Sequence, residues 1–294
     1  MNKEIRLATR KSALALWQAN WWAQQLHTLG FKTVLCPMST LADEQTQASL
    51  LSLGENKGSF CHALDEAVRQ GEADVAIHSL KDWPTLPVEE LVLAAVSPRA
   101  DPRDVCVASQ PLAQLPVGAR IATGSPRRQY LGRRLKPECE WVGIRGNVPT
   151  RIAQVGKTCD AVILAMAGLQ RLASQAHYFP LDINDFVPAA GQGVMGAVCR
   201  KDSEFLPFLQ KISDQKVQEC VHLEREVIRG LGAHCHSPVG VYVHSQQQIW
   251  HVLVFIGHEQ DGLQHQKSYH CTPMNSALVL NDLEQLGAFT LLPR

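Results

Sequence analysis

Six arginines recur where short apolar runs give way to polar turns: Arg10, Arg127, Arg128, Arg145, Arg151 and Arg171. A guanidinium is a rigid fork that grips a carboxylate or phosphate through two parallel hydrogen bonds. In parallel α/β sheets, ligands gather beyond the carboxyl ends of the strands. Helix N-termini there offer free N–H groups to anions. Thr123-Gly124-Ser125 before Pro126, and Ser12 after Arg10, suit that position. A solvated helix face accounts for any one of these arginines. Their shared topological place argues for the set, and six forks imply a ligand with several negative groups. No G-x-x-x-x-G-K-S/T loop occurs, and Gly191-Gln192-Gly193 is too short for a dinucleotide fingerprint. Carboxylates on a small organic ligand are therefore favoured over nucleotide phosphates.

Two further stretches carry chemistry. "HSLKDWP" (His78–Pro84) closes an apolar strand and sets Asp82 beside Lys81. A carboxylate after a strand is ordinarily a turn residue. Among arginines it is the one anion among cations, suited to stabilising a developing positive charge and to moving protons. "GAHCHSP" places Cys235 between His234 and His236. Those types suit a metal ligand, a redox thiol or a covalent anchor, and an inert thiol is equally open. Eight of the twelve histidines lie beyond residue 214, yet no four-ligand zinc spacing is evident.

These residues need a scaffold. Strand-like and helix-like segments alternate through most of the 294 residues. Ile5–Thr9, Val34–Cys36, Ala73–Ser79 and Leu91–Ser97 read as strands. Ser12 caps a helix with Leu14, Trp17 and Trp21 on one face, and Phe60–Gln70 reads as a second helix. Pro98–Asp104 reads as a hinge. A second series follows: strand Ala119–Ser125, helix Pro126–Leu135, strand Trp141–Arg145, helix Val148–Val155 and buried strand Cys159–Gly168. "IRLATRKSALAL" echoes "ARIATGSPRRQYL", and "EADVAIHSLKD" echoes "TCDAVILAMAG". Val187–Arg200 reads as a return crossover. Beyond Asp214 come an amphipathic helix, three alternating strands and a closing helix. The expected fold class is α/β: two α/β domains facing each other, plus a small α+β C-terminal domain. The boundaries are residues 1–97 with 194–213, 98–193, and 214–294.

Composition narrows the class. Lys and Arg total 28 against 28 Asp and Glu, which disfavours a general nucleic-acid binder. No apolar run reaches the ~18 residues of a membrane span. Nine scattered cysteines without a C-x-x-C pair fit free thiols in a reducing cytoplasm.

Eight blocks then resemble one family in order: "IRLATRKSALALWQA", "HSLKDWPT", "ADPRDV", "ATGSPRRQ", "RGNVPTR", "DAVILAMAGLQRL", "PAAGQG" and "GAHCHSPVG". The family is porphobilinogen deaminase, and the resemblance runs from about Ile5 to Val243. It implies two periplasmic-binding-protein-like α/β domains flanking a cleft and a small third domain carrying a cysteine. It implies head-to-tail joining of four porphobilinogens, with loss of ammonia, on a dipyrromethane cofactor thioether-linked to Cys235. Asp82 then matches the family's essential aspartate. Lys81, Ser79, Thr123, Ser125, Arg127, Arg128 and Arg151 would hold the cofactor. Arg10, Ser12, Arg145, Arg151, Arg171 and Gln192 would meet substrate or the lengthening chain, and Lys57 and Phe60 belong to a lid. No metal is implied. The only partner implied is porphobilinogen, without nucleic acid or membrane, and the family is usually monomeric.

The chain departs from the family's pattern in places. Ala42 replaces the glycine of Thr-x-Gly-Asp. The lid segment Glu55–Ala63 lacks its second lysine and its glutamate. Ala233-His234 replaces Gly-Gly before the anchor, and Val198 replaces a glutamate. A glycine lost where φ > 0 is required would impair turnover. The alternative reading is thus a slowed or non-catalytic paralogue binding porphobilinogen, a bilane or another polycarboxylate. A third is a metal or redox protein built on Cys235 and the C-terminal histidines.

Overall fold

The computed structural model describes residues 3–39, 59–86, 88–234, 237–247, 249–258, 263–270 and 275–292. In chain order the elements are β1 (Glu4–Arg10), α1 (Ala13–Thr28), β2 (Lys32–Met38), α2 (Ser59–Arg69), β3 (Val75–Ser79), β4 (Leu91–Val96) and β5 (Asp104–Val107). Next come β6 (Arg120–Ala122), α3 (Pro126–Leu135), β7 (Glu140–Val142), α4 (Val148–Ile152), β8 (Ala161–Ala165), α5 (Met166–Arg171) and β9 (Tyr178–Pro180). The rest are β10 (Met195–Arg200), α6 (Leu206–Lys211), α7 (Gln215–Gly230), β11 (Val239–Gln246), β12 (Ile249–Ile256), β13 (Leu263–Tyr269) and α8 (Ser276–Gln285). The chain divides into two compact units: residues 1–99 with 194–218, and 100–193 with 219–294.

The first unit holds a sheet of order β2-β1-β3-β10-β4. β1 runs parallel to β2 and β3, and β10 runs antiparallel to β3 and β4. Its core gathers Ile5, Leu7, Trp22, Leu26, Val75 and Ile77. Each such side chain contributes roughly 1.5–3 kcal/mol when fully buried. The buried face of α1 is Gln18, Ala19, Trp22, Ala23 and Leu26, one position round from the expected face. Trp17 is exposed, and Trp21 packs edge-on against Trp22. Polar Gln18 can turn inward because its Nε2 donates to Ser79 Oγ at 2.8 Å, which satisfies a group that burial would otherwise penalise.

The second unit repeats the pattern. Its first sheet has the order β7-β6-β8-β5-β9, with β6 parallel to β7 and β8 and β5 antiparallel to β8 and β9. The two sequence echoes fall on equivalent places, β1 with β6 and β3 with β8. Residues 159–168 are not one strand. β8 ends at Ala165 and α5 starts at Met166, because an unbroken apolar run does not mark where its period changes.

The remaining sheet is the meander β11-β12-β13. Successive strand residues face opposite ways. Val252, Val254 and Ile256 pack with Val241, Val243 and the α7 residues Leu223 and Val227. Leu253 and Phe255, on the other face, join Ile121, Leu131, Trp141 and Phe186 in the core of the β6 sheet. A strand covered on both faces reads as a continuous apolar run, as "VLVFI" does. The approach is close: a Cβ on Gly240 would lie 2.8 Å from Val187 O and 2.9 Å from Pro188 O.

Gly132 within α3 is as tightly placed, since a Cβ there would meet the Trp141 ring at 2.0 Å. Despite alanine's better helix propensity, Gly132→Ala is expected to lower stability by roughly 1–3 kcal/mol through overpacking. Urea unfolding of the variant, with an unchanged slope, checks this.

Candidate functional site

In the first unit, the neighbouring parallel strands β1 and β3 end at Arg10 and Ser79. Arg10 is half-buried, and Ser12 caps α1 by accepting from Ala15 N at 3.3 Å. Beyond β3 the chain makes a single 3-10 turn over Leu80–Asp82. Leu80 N donates to Val194 O at 3.0 Å and Trp83 N to Leu80 O at 3.2 Å. Cys61 Sγ on α2 donates to Asp82 O at 3.0 Å. Leu80 and Trp83 are buried and pin the turn from inside. Lys81 is half-buried, and Asp82 stands exposed between the two anchors. Behind the turn, Asp65 of α2 accepts from His78 Nε2 at 2.8 Å through Oδ1 and from Trp83 Nε1 at 3.1 Å through Oδ2.

In the second unit, the adjacent parallel strands β7, β6 and β8 lead into the other residues singled out by the sequence. After β6, Thr123 is wholly buried and its Oγ1 accepts from Ser125 N at 3.3 Å. Ser125 caps α3, accepting from Arg128 N, with Pro126 in the first turn. After β7, Arg145 is exposed, and Arg151 Nε donates to Gly146 O at 2.6 Å. After β8, Arg171 Nη2 donates to Gly193 O at 2.8 Å, and burial pushes its guanidinium down to about 10.

Arg127 and Arg128, expected on the cofactor's carboxylates, both bond to Asp104, the first residue of β5. Arg127 Nη2 reaches Asp104 Oδ2 at 2.8 Å. Arg128 reaches Oδ1 through Nη2 at 2.7 Å and Nε at 3.0 Å. Main-chain carbonyls of Val187 and Ile163 accept from the same two guanidiniums. Gln192, expected on substrate, is also interior: its Nε2 donates to Asp104 Oδ1 at 2.9 Å and Pro102 O at 2.7 Å. The cause is burial. Arg127 is 3 % exposed, Arg128 6 % and Asp104 0 %, and cations so placed need a nearby anion. Among the described residues Asp104 is the one carboxylate bonded to either guanidinium, so the pair retains one unit of positive charge. Burial pushes the Arg127 guanidinium down, Arg128 adds to the fall, and Asp104 opposes it.

Lys57 and Cys235 lie outside the described residues, as does most of the lid segment; Phe60 is the second residue of α2. The glycine replacements beside the anchor can be judged in part. Among the described residues, the non-glycine positions with positive φ are Ala173 and Gln247. Ala233 and His234 therefore do not need the glycine region, and Gly232 takes the left-handed turn at φ 66°. Val198 is buried within β10.

Sequence reasoning missed Asp104 and Asp65. Each is an acid flanking apolar residues in a buried element, and that was the available signal. Among the described residues no three His, Cys, Asp or Glu side chains converge as metal ligands, and no helix is long and apolar enough to cross a membrane.

The family model described as "Porphobilinogen deaminase, dipyromethane cofactor binding domain" matches residues 5–207. A protein named porphobilinogen deaminase from Xanthomonas axonopodis pv. citri is 40 % identical over 290 residues, covering 96 % of this chain and 93 % of that protein. One of the same name from Syntrophotalea carbinolica is 38 % identical over 253 residues, covering 83 % and 79 %. Among solved structures, an ancestral cationic amino acid solute-binding protein is 15 % identical at a TM-score of 0.43, covering 76 % of this chain and 94 % of that one.

Proposed function

The chain belongs to the porphobilinogen deaminase family, and from that premise we propose how its own residues join four porphobilinogens head to tail, releasing ammonia, to give hydroxymethylbilane. The near-full-length relatives favour this reading over a slowed paralogue. One observation carries the chemical side: two buried guanidiniums share one buried carboxylate, with a unit of positive charge left over. Desolvating an unmatched ion costs several kcal/mol, and an arriving carboxylate offsets that cost. Porphobilinogen carries two carboxylates, an acetate and a propionate, so the donor set fits it and a dipyrromethane made from two such units.

When bound, the dipyrromethane supplies a covalently held primer, for which Cys235 is the proposed anchor. Arg127 and Arg128, held by Asp104, supply fixed positive potential at the start of α3. Ser125, Lys81 and Ser79 add donors for carboxylate oxygens. Arg10, Arg145, Arg151 and Arg171 are assigned to the acetate and propionate groups of incoming porphobilinogen and of the lengthening product. Asp82 has the chemical step. As ammonia leaves a porphobilinogen aminomethyl group, the pyrrole becomes electron-poor and its N–H gains positive character. A carboxylate at that N–H stabilises the charge and takes up the ring proton lost after coupling. The main chain on either side of Asp82 is pinned while its side chain is exposed, which suits a group that serves successive rings. We assign the protein to a reducing cytoplasm, which the seven described cysteines, all free thiols, support, and we take it to act as a monomer.

Intact-mass measurement tests the reading. The native protein is expected to weigh more than its amino acids by one dipyrromethane group, to redden Ehrlich's reagent, and to gain further pyrrole units on brief exposure to porphobilinogen. Cys235→Ser should abolish all three. A native mass equal to the bare chain, before and after porphobilinogen, overturns the proposal.

A further inference from the structure

The side chain of Asp65 is 6 % exposed and both its oxygens are engaged, by His78 and Trp83. Its partners, His78 and Trp83, bracket the four residues Ser79, Leu80, Lys81 and Asp82. One carboxylate on α2 therefore ties down both ends of the segment that presents the proposed catalytic acid. The two rings lie over one another at 6.4 Å between centroids and 27° between planes. A third tie comes from the same helix, since Cys61 Sγ meets the Asp82 carbonyl. A carboxylate only accepts, so both His78 Nε2 and Trp83 Nε1 must point a proton at it. Asp65 thus fixes the His78 tautomer and the Trp83 rotamer together.

We infer that Asp65 is a positioning residue for the coupling reaction, acting through His78 and Trp83 to hold the Leu80–Asp82 turn in register with the substrate pyrrole. The inference rests on the assignment of Asp82 as catalytic. The physical basis is the steep dependence of rate on placement: a displacement of about 1 Å costs roughly 100-fold. Asparagine at position 65 keeps the shape but offers one acceptor oxygen and an NH₂ group. One of the two ring donors then faces another donor and turns away.

The test compares Asp65→Asn with Asp65→Glu, Asp82→Asn and Asp74→Asn in the cofactor-loaded enzyme. Asp74 is paired with Arg6 at the far end of β3 and serves as the control for general destabilisation. Asp65→Asn is expected to lower kcat per folded, loaded molecule roughly 10- to 100-fold with little change in KM. It should also move the Trp83 indole N–H resonance in a ¹⁵N spectrum. Asp65→Glu should recover part of both, and Asp74→Asn should lose stability with kcat unchanged. If Asp65→Asn keeps full kcat while Asp82→Asn loses it, the positioning role is wrong and the catalytic assignment stands. If Asp82→Asn itself keeps full kcat, the assignment beneath the inference fails.

Discussion

Asp82→Asn is expected to lower kcat by roughly 10²–10⁴-fold, the range for loss of a positioned acid–base group, with little change in the KM for porphobilinogen. The split follows from where the residue sits. Carboxylate recognition is assigned to guanidiniums, hydroxyls and the Lys81 ammonium, none of which the substitution removes, so ground-state binding survives. The lost interaction grows only as positive charge develops on the pyrrole, so it falls on the chemical step. Asparagine is isosteric, and Asp82 is exposed, so folding should not confuse the result. Single-turnover ammonia release with the loaded enzyme gives the number. A tenfold rise in KM with kcat intact would reassign Asp82 to binding.

Asp104→Ala is expected to have the largest effect on stability, a loss of about 3–5 kcal/mol, as for removing one partner of a buried ion pair. Here two guanidiniums lose their shared anion, and Gln192 loses an acceptor. The neighbouring Asp101–Arg103 pair provides the contrast. It has good geometry at 2.7 Å, yet Arg103 is 42 % exposed. Pairs of that kind contribute roughly 0–1 kcal/mol, so Asp101→Ala should be nearly silent. Urea unfolding of the two variants checks the difference; Asp104→Asn serves if the alanine variant does not fold. Porphobilinogen should raise the stability of the folded Asp104 variants through binding to the native state. Equal losses for Asp101→Ala and Asp104→Ala would refute the buried-charge account.

The parts of this molecule that the sequence made legible are those governed by neighbours along the chain. Ser12 and Ser125 cap helices as their types require, and Pro126 sits where its missing N–H costs nothing. The meander was readable as three short segments separated by polar breaks, although β12 carries an unbroken apolar run from Val252 to Ile256 where alternation is expected. The arginines after β6, β7 and β8 were found because strand ends are visible as polar breaks. What failed to show depends on partners distant in sequence. Nothing around Asp104 announces guanidiniums 23 and 24 residues on, and "PRADPRD" looks like a turn whether or not its last acid is buried. The α1 face was misjudged by one position because adjacent tryptophans satisfy either register, and Ser79, 61 residues away, decides between them. A three-residue 3-10 turn has no period to detect, so the platform for Asp82 could be located but not shaped.

The two faces of β12 have a consequence beyond packing. Phe255 and Leu253 belong to the interior of the β6 sheet, while Val252 and Val254, in the same strand, belong to that of α7 and α8. Neither layer can melt without exposing apolar surface of the other. Residues 100–193 and 219–294 are thus expected to open and close as one cooperative block, and damage to the C-terminal meander should loosen the arginine-bearing sheet as well.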